Sequence, residues 1–270
     1  MGIERHDDPA AYAARVLPLL LRDEARFNLE IAVISRAAEG FRYPAGDAGP
    51  DEEPLLLTVD GMPAVRTPPH NLLMAPVPAT AAPALAAYLR DTDLPGALGA
   101  PDAVTAFAEA YGRPFHVSRQ QGVYELRELV PPARPAPGVL RVADDWPLVE
   151  RWAREFTDEV GLPRQDLTSF RARYDEGLIW VWVDGEPVCL AGCGGFTPNG
   201  ARVGPVYTPP ALRGRGYASA ATAAVTRELL GRGRTSTFLY TDLANPTSNR
   251  IYQAIGYRHV TDVREVTFGR

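Results

Sequence analysis

The sequence predicts an α/β protein whose mixed β-sheet is covered by helices. Apolar residues make up 46% of the 270 residues, which is typical of a globular chain with a buried core. Strand and helix patterns alternate through the second half, and this order places helices on both faces of a sheet. A Pro-rich stretch at 131–138 favours an extended linker. We therefore predict two domains, 1–130 and 139–270, joined by that linker.

The first half contains fewer clear elements than the second. A helix is predicted from about Pro9, with Asp8 as its N-cap and proline at the first helical position. The other predicted elements are strands at Leu55–Val59 and Ala64–Arg66 around an Asp60-Gly61 turn, helices near Ala81–Arg90 and Ala103–Tyr111, and an extended segment at Phe115–Leu129. None of them carries a motif with chemistry attached.

The second half begins with a strand and a strongly periodic helix. Trp146, Val149, Phe156 and Val160 recur at helical spacing, so a helix is predicted over Trp146–Val160. The remaining predictions are strands at Val139–Ala143, Leu178–Val183, Pro187–Cys193, Arg202–Thr208, Thr237–Thr241 and Val263–Phe268, a hairpin turn at Asp184-Gly185, and helices at about Arg215–Leu230, closed by Gly231, and Pro246–Ile255.

Composition excludes several classes of enzyme and partner. All 28 basic residues are arginine, so neither a Walker phosphate loop nor a Schiff base with a carbonyl substrate can form. A net charge of −5 argues against a nucleic-acid surface, which needs clustered positive charge. The four histidines are scattered without ligand spacing, so no metal site is predicted. No G-x-S-x-G elbow supports a hydrolase.

Location is predicted from the cysteines and the apolar stretches. Cys189 and Cys193 lie four apart on a predicted strand, about 13 Å at strand rise, which is too far for a disulfide. The beginning of the sequence has no apolar signal segment, and no stretch approaches the ~20 residues that span a bilayer. We therefore expect a cytoplasmic protein without membrane contact.

The most informative segment joins a predicted strand to a helix through Arg213-Gly214-Arg215-Gly216. The two glycines permit a tight turn, and the free N–H groups at the start of the helix, with its dipole, suit an anion such as a pyrophosphate. Arg213 and Arg215 add positive charge. A dinucleotide fingerprint is incomplete, because Ser219 occupies the third glycine position.

A second segment strengthens this interpretation. Asn245 is followed seven residues later by Tyr252, and then by Gly256 and Tyr257. With the pattern of Arg213, Gly216 and Ala218 after a strand, this order resembles the GNAT superfamily of N-acetyltransferases, over about residues 139–270.

The resemblance implies a GNAT-like fold and acetyl-CoA as the acyl donor, with an amine as acceptor and no metal. The backbone of residues 206–208 would bind the pantetheine arm and the turn would bind the pyrophosphate, while Tyr252 would be the general acid for the departing thiolate. The donor-site residues so implied are Val206, Tyr207, Thr208, Arg213, Gly214, Arg215, Gly216, Tyr217, Ala218, Ser219, Asn245 and Asn249.

Several alternatives stay open from the sequence. Asp242 is the first candidate for the general base, with Glu155, Glu159 and Tyr207 as others. The chain could instead be a non-catalytic acyl-CoA sensor, or an acyltransferase for a longer acyl group or a hydroxyl acceptor. The first half is expected to be a degenerate second copy of the same fold that helps to shape the acceptor pocket, and an unrelated binding domain is the alternative.

Overall fold

The computed structural model describes residues 2–40, 53–161 and 167–269 of the chain. The first series of elements is β1 (Ile3–His6), α1 (Pro9–Leu20), α2 (Asn28–Ala38), β2 (Leu55–Val59), β3 (Met62–Arg66), β4 (Leu72–Leu73), α3 (Ala82–Tyr88), β5 (Gly96–Gly99), α4 (Pro101–Tyr111) and β6 (Phe115–Leu126). The second series is β7 (Val139–Val142), α5 (Trp146–Val160), α6 (Leu167–Asp175), β8 (Ile179–Asp184), β9 (Glu186–Gly194), β10 (Gly200–Tyr207), α7 (Tyr217–Gly231), β11 (Ser236–Asp242), α8 (Pro246–Ala254) and β12 (Arg258–Phe268). The order β-α-α-β-β-β-α-β-α-β therefore occurs twice along the chain.

The structure confirms the predicted α/β class and most of the predicted elements. Asp8 caps α1 by accepting the N–H groups of Ala10 and Ala11, and α5 has the predicted bounds. Two details differ: α7 begins at Tyr217 rather than Arg215, because Gly216 is left-handed, and it continues through Gly231. The elements that the sequence did not indicate are β1, α2, β4, β5 and α6.

The described residues form two compact units, each assembled from separate stretches of chain. The first comprises Met1–Val123, Thr241–Ala244 and Val260–Arg270, and the second comprises Tyr124–Tyr240 and Asn245–His259. Residues 124–138 thus belong to the second unit. A domain boundary within 131–138 stays a prediction.

The first unit is built on a sheet in the order β1-β2-β3-β4-β5-β12. Most of its strands are antiparallel, while β4 and β5 run parallel, with Leu73 opposite Leu98. Helices α3 and α4 contribute to one hydrophobic cluster, which includes Phe107, and α1 and α2 contribute to another, which includes Tyr12 and Ile31.

The second unit contains the sheet β7-β8-β9-β10-β11. Among the described residues of this sheet, β10 and β11 are paired in parallel and the other three strand pairs are antiparallel. Successive side chains of β8 pack alternately on the two faces of this sheet. Ile179 and Val181 pack under α5 and α6, whereas Trp180 and Trp182 pack under α7. Helix α8 lies on a further cluster with Tyr257 and Ala223, the latter from α7.

Candidate active site

The strand-to-helix turn has the geometry that its glycines predict. A short 3-10 turn at Pro210–Leu212 follows β10, and Gly214 and Gly216 adopt φ values of +77° and +83°. Residues with a Cβ rarely adopt these left-handed backbone angles, which explains why glycine occupies both positions. Gly216 is the N-cap of α7 and provides no side-chain cap, and the first turn of α7 contains no acidic residue. The amides of the first turn are therefore available to an anion.

Beside this turn, β10 separates from its parallel neighbour. Pairing with β11 extends from Gly200–Ser236 to Arg202–Phe238 and then stops, although β10 continues to Tyr207. On its other side, β10 shifts register against β9 between Val203 and Val206. An irregularity of this kind bends the strand and increases its twist. The last residues of β10 thus lie apart from β11 and leave backbone groups for an extended ligand.

Tyr252, on α8, lies near this end of β10. Its ring packs edge-on against Tyr257 with 6.2 Å between centroids. The Cys189 thiol contacts the Thr208 hydroxyl, just beyond β10. The same thiol is close enough to Tyr252 to affect the pKa of its hydroxyl. Burial raises the pKa of the Tyr252 hydroxyl above its usual range, and the neighbouring Tyr257 and Cys189 raise it further. Among the described residues the Tyr252 hydroxyl has no hydrogen-bond partner.

Tyr207 forms a second cluster at the end of β10. Its hydroxyl donates to Oε2 of Glu155 at 2.8 Å, and its ring lies 6.5 Å from that of Trp152. Burial, reinforced by the hydrogen bond to Glu155, raises the pKa of Tyr207 to about 12. Tyr207 belongs to the hydrophobic cluster under α5 and α6, whereas Tyr252 packs with the α7 and α8 cluster. The two tyrosines therefore belong to opposite faces of the sheet.

The remaining predicted site residues have different surroundings. Asn245 caps α8 by accepting the N–H of Ser248 at 3.0 Å, and Asn249 lies half-buried in that helix. The Tyr217 hydroxyl donates to Asp184 at 2.6 Å. Ala218 and Ser219 are half-buried in the first turn of α7, and Arg215 is exposed.

Arg213 and Asp242 are exposed residues whose side chains are already bound to other groups of the protein. Arg213 is paired with Glu159 on α5. Asp242 is exposed, accepts the N–H of Ala244 at 2.8 Å, and belongs to the first compact unit.

Some features of the site had no signal in the sequence. Contact between Tyr207 and Glu155 joins residues 52 positions apart, and the register shift in β10 depends on its partner strand. In the described parts of the chain, no group of three or more His, Cys, Asp or Glu side chains could hold a metal ion. None of the helices there is long and apolar enough to cross a bilayer.

The two parallel strand pairs differ in a way that bears on the site. In the first unit, both residues of β4 pair with β5, and the Met74 N–H continues the ladder by donating to the Leu98 carbonyl at 2.9 Å. Gly99 packs so closely there that a Cβ would lie 3.0 Å from the Met74 carbonyl carbon. The separation that opens between β10 and β11 is closed in the first unit.

Comparison with known proteins agrees with this geometry. The sequence profile of the FR47-like protein family matches residues 186–266. A mycothiol acetyltransferase of a Nocardioides species is 31% identical over 129 residues, which is 46% of this chain and 41% of that protein. The chain thus matches about two fifths of the length of this curated relative.

Solved structures match over nearly the whole chain. A Drosophila protein superposes with a TM-score of 0.67 at 16% identity, covering 99% of this chain and 98% of that one. A GNAT-family acetyltransferase from Colwellia psychrerythraea gives 0.55 at 14% identity, covering 99% of both chains. A GCN5-related N-acetyltransferase from Sphaerobacter thermophilus gives 0.60 at 17% identity, covering 98% and 94%. At these identities the likeness is one of fold.

A mixed sheet with a separated parallel strand pair beside a glycine turn occurs here in a chain that superposes on solved GNAT-family acetyltransferases. The family profile, the acetyltransferase relative and the matching structures agree with it. Residues 186–266 match the FR47-like family, and the chain shares its fold with solved GNAT acetyltransferases.

Proposed function

We propose that the chain is an acetyl-CoA-dependent N-acetyltransferase, which transfers an acetyl group to a primary amine of a small molecule or protein. One observation carries the proposal: β10 leaves β11 beside a left-handed glycine turn whose helix amides are uncapped. An extended pantetheine arm can pair with the free edge of β10 while the amides of α7 bind the pyrophosphate. The acetyltransferase relative supports this donor.

The reaction is direct attack by a neutral amine on the thioester carbonyl. The amine nitrogen forms a bond to carbon, the C–S bond breaks, and the thiolate gains a proton while the nitrogen loses one. In this proposal, backbone N–H groups near the end of β10, at Val206, Tyr207 or Thr208, would stabilise the developing oxyanion. Positioning of the two reactants supplies much of the remaining acceleration.

Tyr252 assists the departing thiolate chiefly by donating a hydrogen bond. An ordinary tyrosine has a pKa near 10 and a thiol near 8.5, so complete proton transfer is uphill by about 2 kcal/mol. Burial raises the pKa of Tyr252 and makes complete transfer more unfavourable still. Hydrogen bonding in the transition state avoids this cost.

The proton acceptor is best sought on the face of the sheet opposite Tyr252. Tyr207 stays protonated at neutral pH, because its pKa is about 12, and it donates to Glu155. Glu155 is therefore the carboxylate that a described contact holds at the end of β10. Asp242 stays a candidate, although one of its oxygens caps the N–H of Ala244. We place Glu155 ahead of Asp242.

The first unit is proposed to be a degenerate copy of the same fold that has lost the donor site. The repeated element order supports a common fold for both halves of the chain. Continuous pairing of β4 with β5, and the close packing of Gly99 against Met74, leave no free strand edge for a pantetheine arm. A role in shaping the acceptor site stays a prediction.

The test is acetyl-CoA turnover with a panel of primary amines and a panel of alcohols, followed by thiol release. We expect release with one or more amines and a large loss in Tyr252→Phe, with Tyr88→Phe, an exposed tyrosine of the first unit, as the matched control. Tight CoA binding without release on any acceptor would establish a sensor instead. Release with alcohols alone would change the acceptor to a hydroxyl.

A further inference from the structure

Arg213, which the resemblance assigns to the donor site, already contacts other groups of the protein. Nη2 of Arg213 lies 2.5 Å from Oε2 of Glu159, and its Nε donates to the Thr208 carbonyl at 2.9 Å. Its guanidinium carbon lies 6.0 Å from the centre of the Tyr207 ring. These contacts direct the Arg213 side chain to α5 and the end of β10. A phosphate at α7 would have to compete with a carboxylate for it.

The Pro-rich segment lies against the same turn. A Cβ built on Gly216 would be 3.7 Å from Cβ of Ala136 and 4.0 Å from the carbonyl oxygen of Arg134. Ala136 also packs against the hydrophobic cluster that contains Tyr217. The segment is fixed in place because the Trp182 indole donates to the Pro137 carbonyl at 2.8 Å. Residues 134–137 are therefore part of the surroundings of the turn.

Arg134 is the basic residue that this segment brings to the turn. Its side chain is exposed, and within the described parts of the chain it makes no hydrogen bond or ion pair. An arginine side chain extends several ångströms beyond its backbone and presents planar donors that match phosphate oxygens. The uncapped amides of α7 begin at the residue after Gly216. Because the Arg134 backbone lies beside Gly216, its side chain is long enough to reach an anion on those amides.

We propose that Arg134 supplies a phosphate contact for the CoA pyrophosphate, and that the Pro-rich segment is part of the donor site. Arg213 then acts as a positioning residue that joins the turn to α5 through Glu159. This inference rests on the proposed function, because it assumes that the turn binds CoA. It extends that function by adding a ligand-binding residue from outside the strand-turn-helix motif.

The test is calorimetric titration of the full chain with CoA and with pantetheine, which has the thiol arm but no phosphate. A charge-assisted hydrogen bond is worth enough that Arg134→Gln should weaken CoA binding about tenfold and leave pantetheine binding unchanged. Arg213→Gln should weaken CoA binding less than about threefold, because an exposed ion pair contributes little. Arg151→Gln is the matched control, since Arg151 is exposed on α5 and has no partner among the described residues.

Three results would overturn the inference. One is an effect of Arg134→Gln on CoA no larger than that of Arg151→Gln. Another is an equal loss for CoA and pantetheine, which would indicate that the segment only supports the fold. The third is a tenfold loss in Arg213→Gln with none in Arg134→Gln. Failure of the unaltered chain to bind CoA would instead reject the proposed function, and the inference with it.

Discussion

The hydroxyl of Tyr257 provides a quantitative test of how the second unit is held together. The side chain is 2% exposed, and its hydroxyl hydrogen-bonds with Thr226 of α7 and Thr237 of β11, each at 2.9 Å. Both threonines are fully buried. Tyr257→Phe removes these two bonds and leaves two buried hydroxyls without their partner. Thr226 can turn to a carbonyl one helical turn earlier, whereas Thr237 on a strand has no such substitute.

The Thr226 hydroxyl thus finds a replacement, while the Thr237 hydroxyl loses its hydrogen bond and stays unsatisfied. We therefore expect Tyr257→Phe to lower the free energy of unfolding of the second unit by about 2–4 kcal/mol. Tryptophan fluorescence in a urea titration measures this unit by itself, because all four tryptophans (Trp146, Trp152, Trp180 and Trp182) belong to it. A shift in midpoint at constant slope would report the stability change.

Two controls separate the hydrogen bonds from other effects. The triple variant Tyr257→Phe, Thr226→Val, Thr237→Val removes all three hydroxyls at nearly constant shape, so most of the stability should return. Tyr88→Phe alters an exposed tyrosine and should change stability by less than about 0.5 kcal/mol. A change within that range for Tyr257→Phe itself, or no recovery in the triple variant, would refute the reasoning.

Three further predictions concern the same unit. Tyr252→Phe should lower kcat by about 10² to 10⁴ with little change in CoA affinity, because the hydroxyl acts in the transition state; steady-state kinetics and calorimetry check both quantities. Gly256→Ala should destabilise the unit by about 1–3 kcal/mol, since Gly256 has a φ of +108° and a Cβ there would lie 2.7 Å from the Glu128 carbonyl oxygen. Alkaline pH should also destabilise it. The folded-state pKa values of Tyr207 and Tyr257 are about 12, against about 10 when unfolded, so the folded state keeps its protons longer and stability falls as pH rises from about 10 to 12.

Each of these predictions has an outcome that would contradict it. Equal losses in kcat and in CoA affinity for Tyr252→Phe would indicate a packing role rather than a catalytic one. A stable Gly256→Ala variant would mean that the chain around Glu128 can move aside. Urea midpoints that stay level up to pH 12 would show that neither tyrosine keeps its proton longer in the folded state, and Tyr88→Phe serves as the control for exposed tyrosines.

Local patterns predicted the elements of the second half other than α6, because each of those patterns is complete within one segment. Helix α5 has its apolar stripe and its proline at the first turn within fifteen residues, and Asp145 caps its start. The glycine turn was likewise predictable, because left-handed backbone needs glycine wherever it occurs. By contrast, β4 and β5 have two and four residues, which is too short for a periodicity to show.

Contacts between distant segments could not be predicted in this way. The phosphate role assigned to Arg213 came from a local motif, while its carboxylate partner, Glu159, lies 54 residues earlier on another element. Nothing in the Pro-rich stretch itself indicated that Arg134 and Ala136 would lie beside Gly216. Such contacts depend on where the sheet brings each segment, and one sequence contains no direct record of that placement.

The two parallel strand pairs lead to a prediction of stoichiometry. A pantetheine arm that binds as an extra strand needs backbone N–H and C=O groups that no neighbouring strand already uses. In β10 such groups exist from Val203 onwards, because pairing with β11 stops at Arg202. In the first unit the Met74 N–H is bonded to Leu98, and Gly99 brings the two backbones into contact. Calorimetric titration should therefore show one CoA per chain, and two equivalents would mean that β4 and β5 separate when the ligand binds.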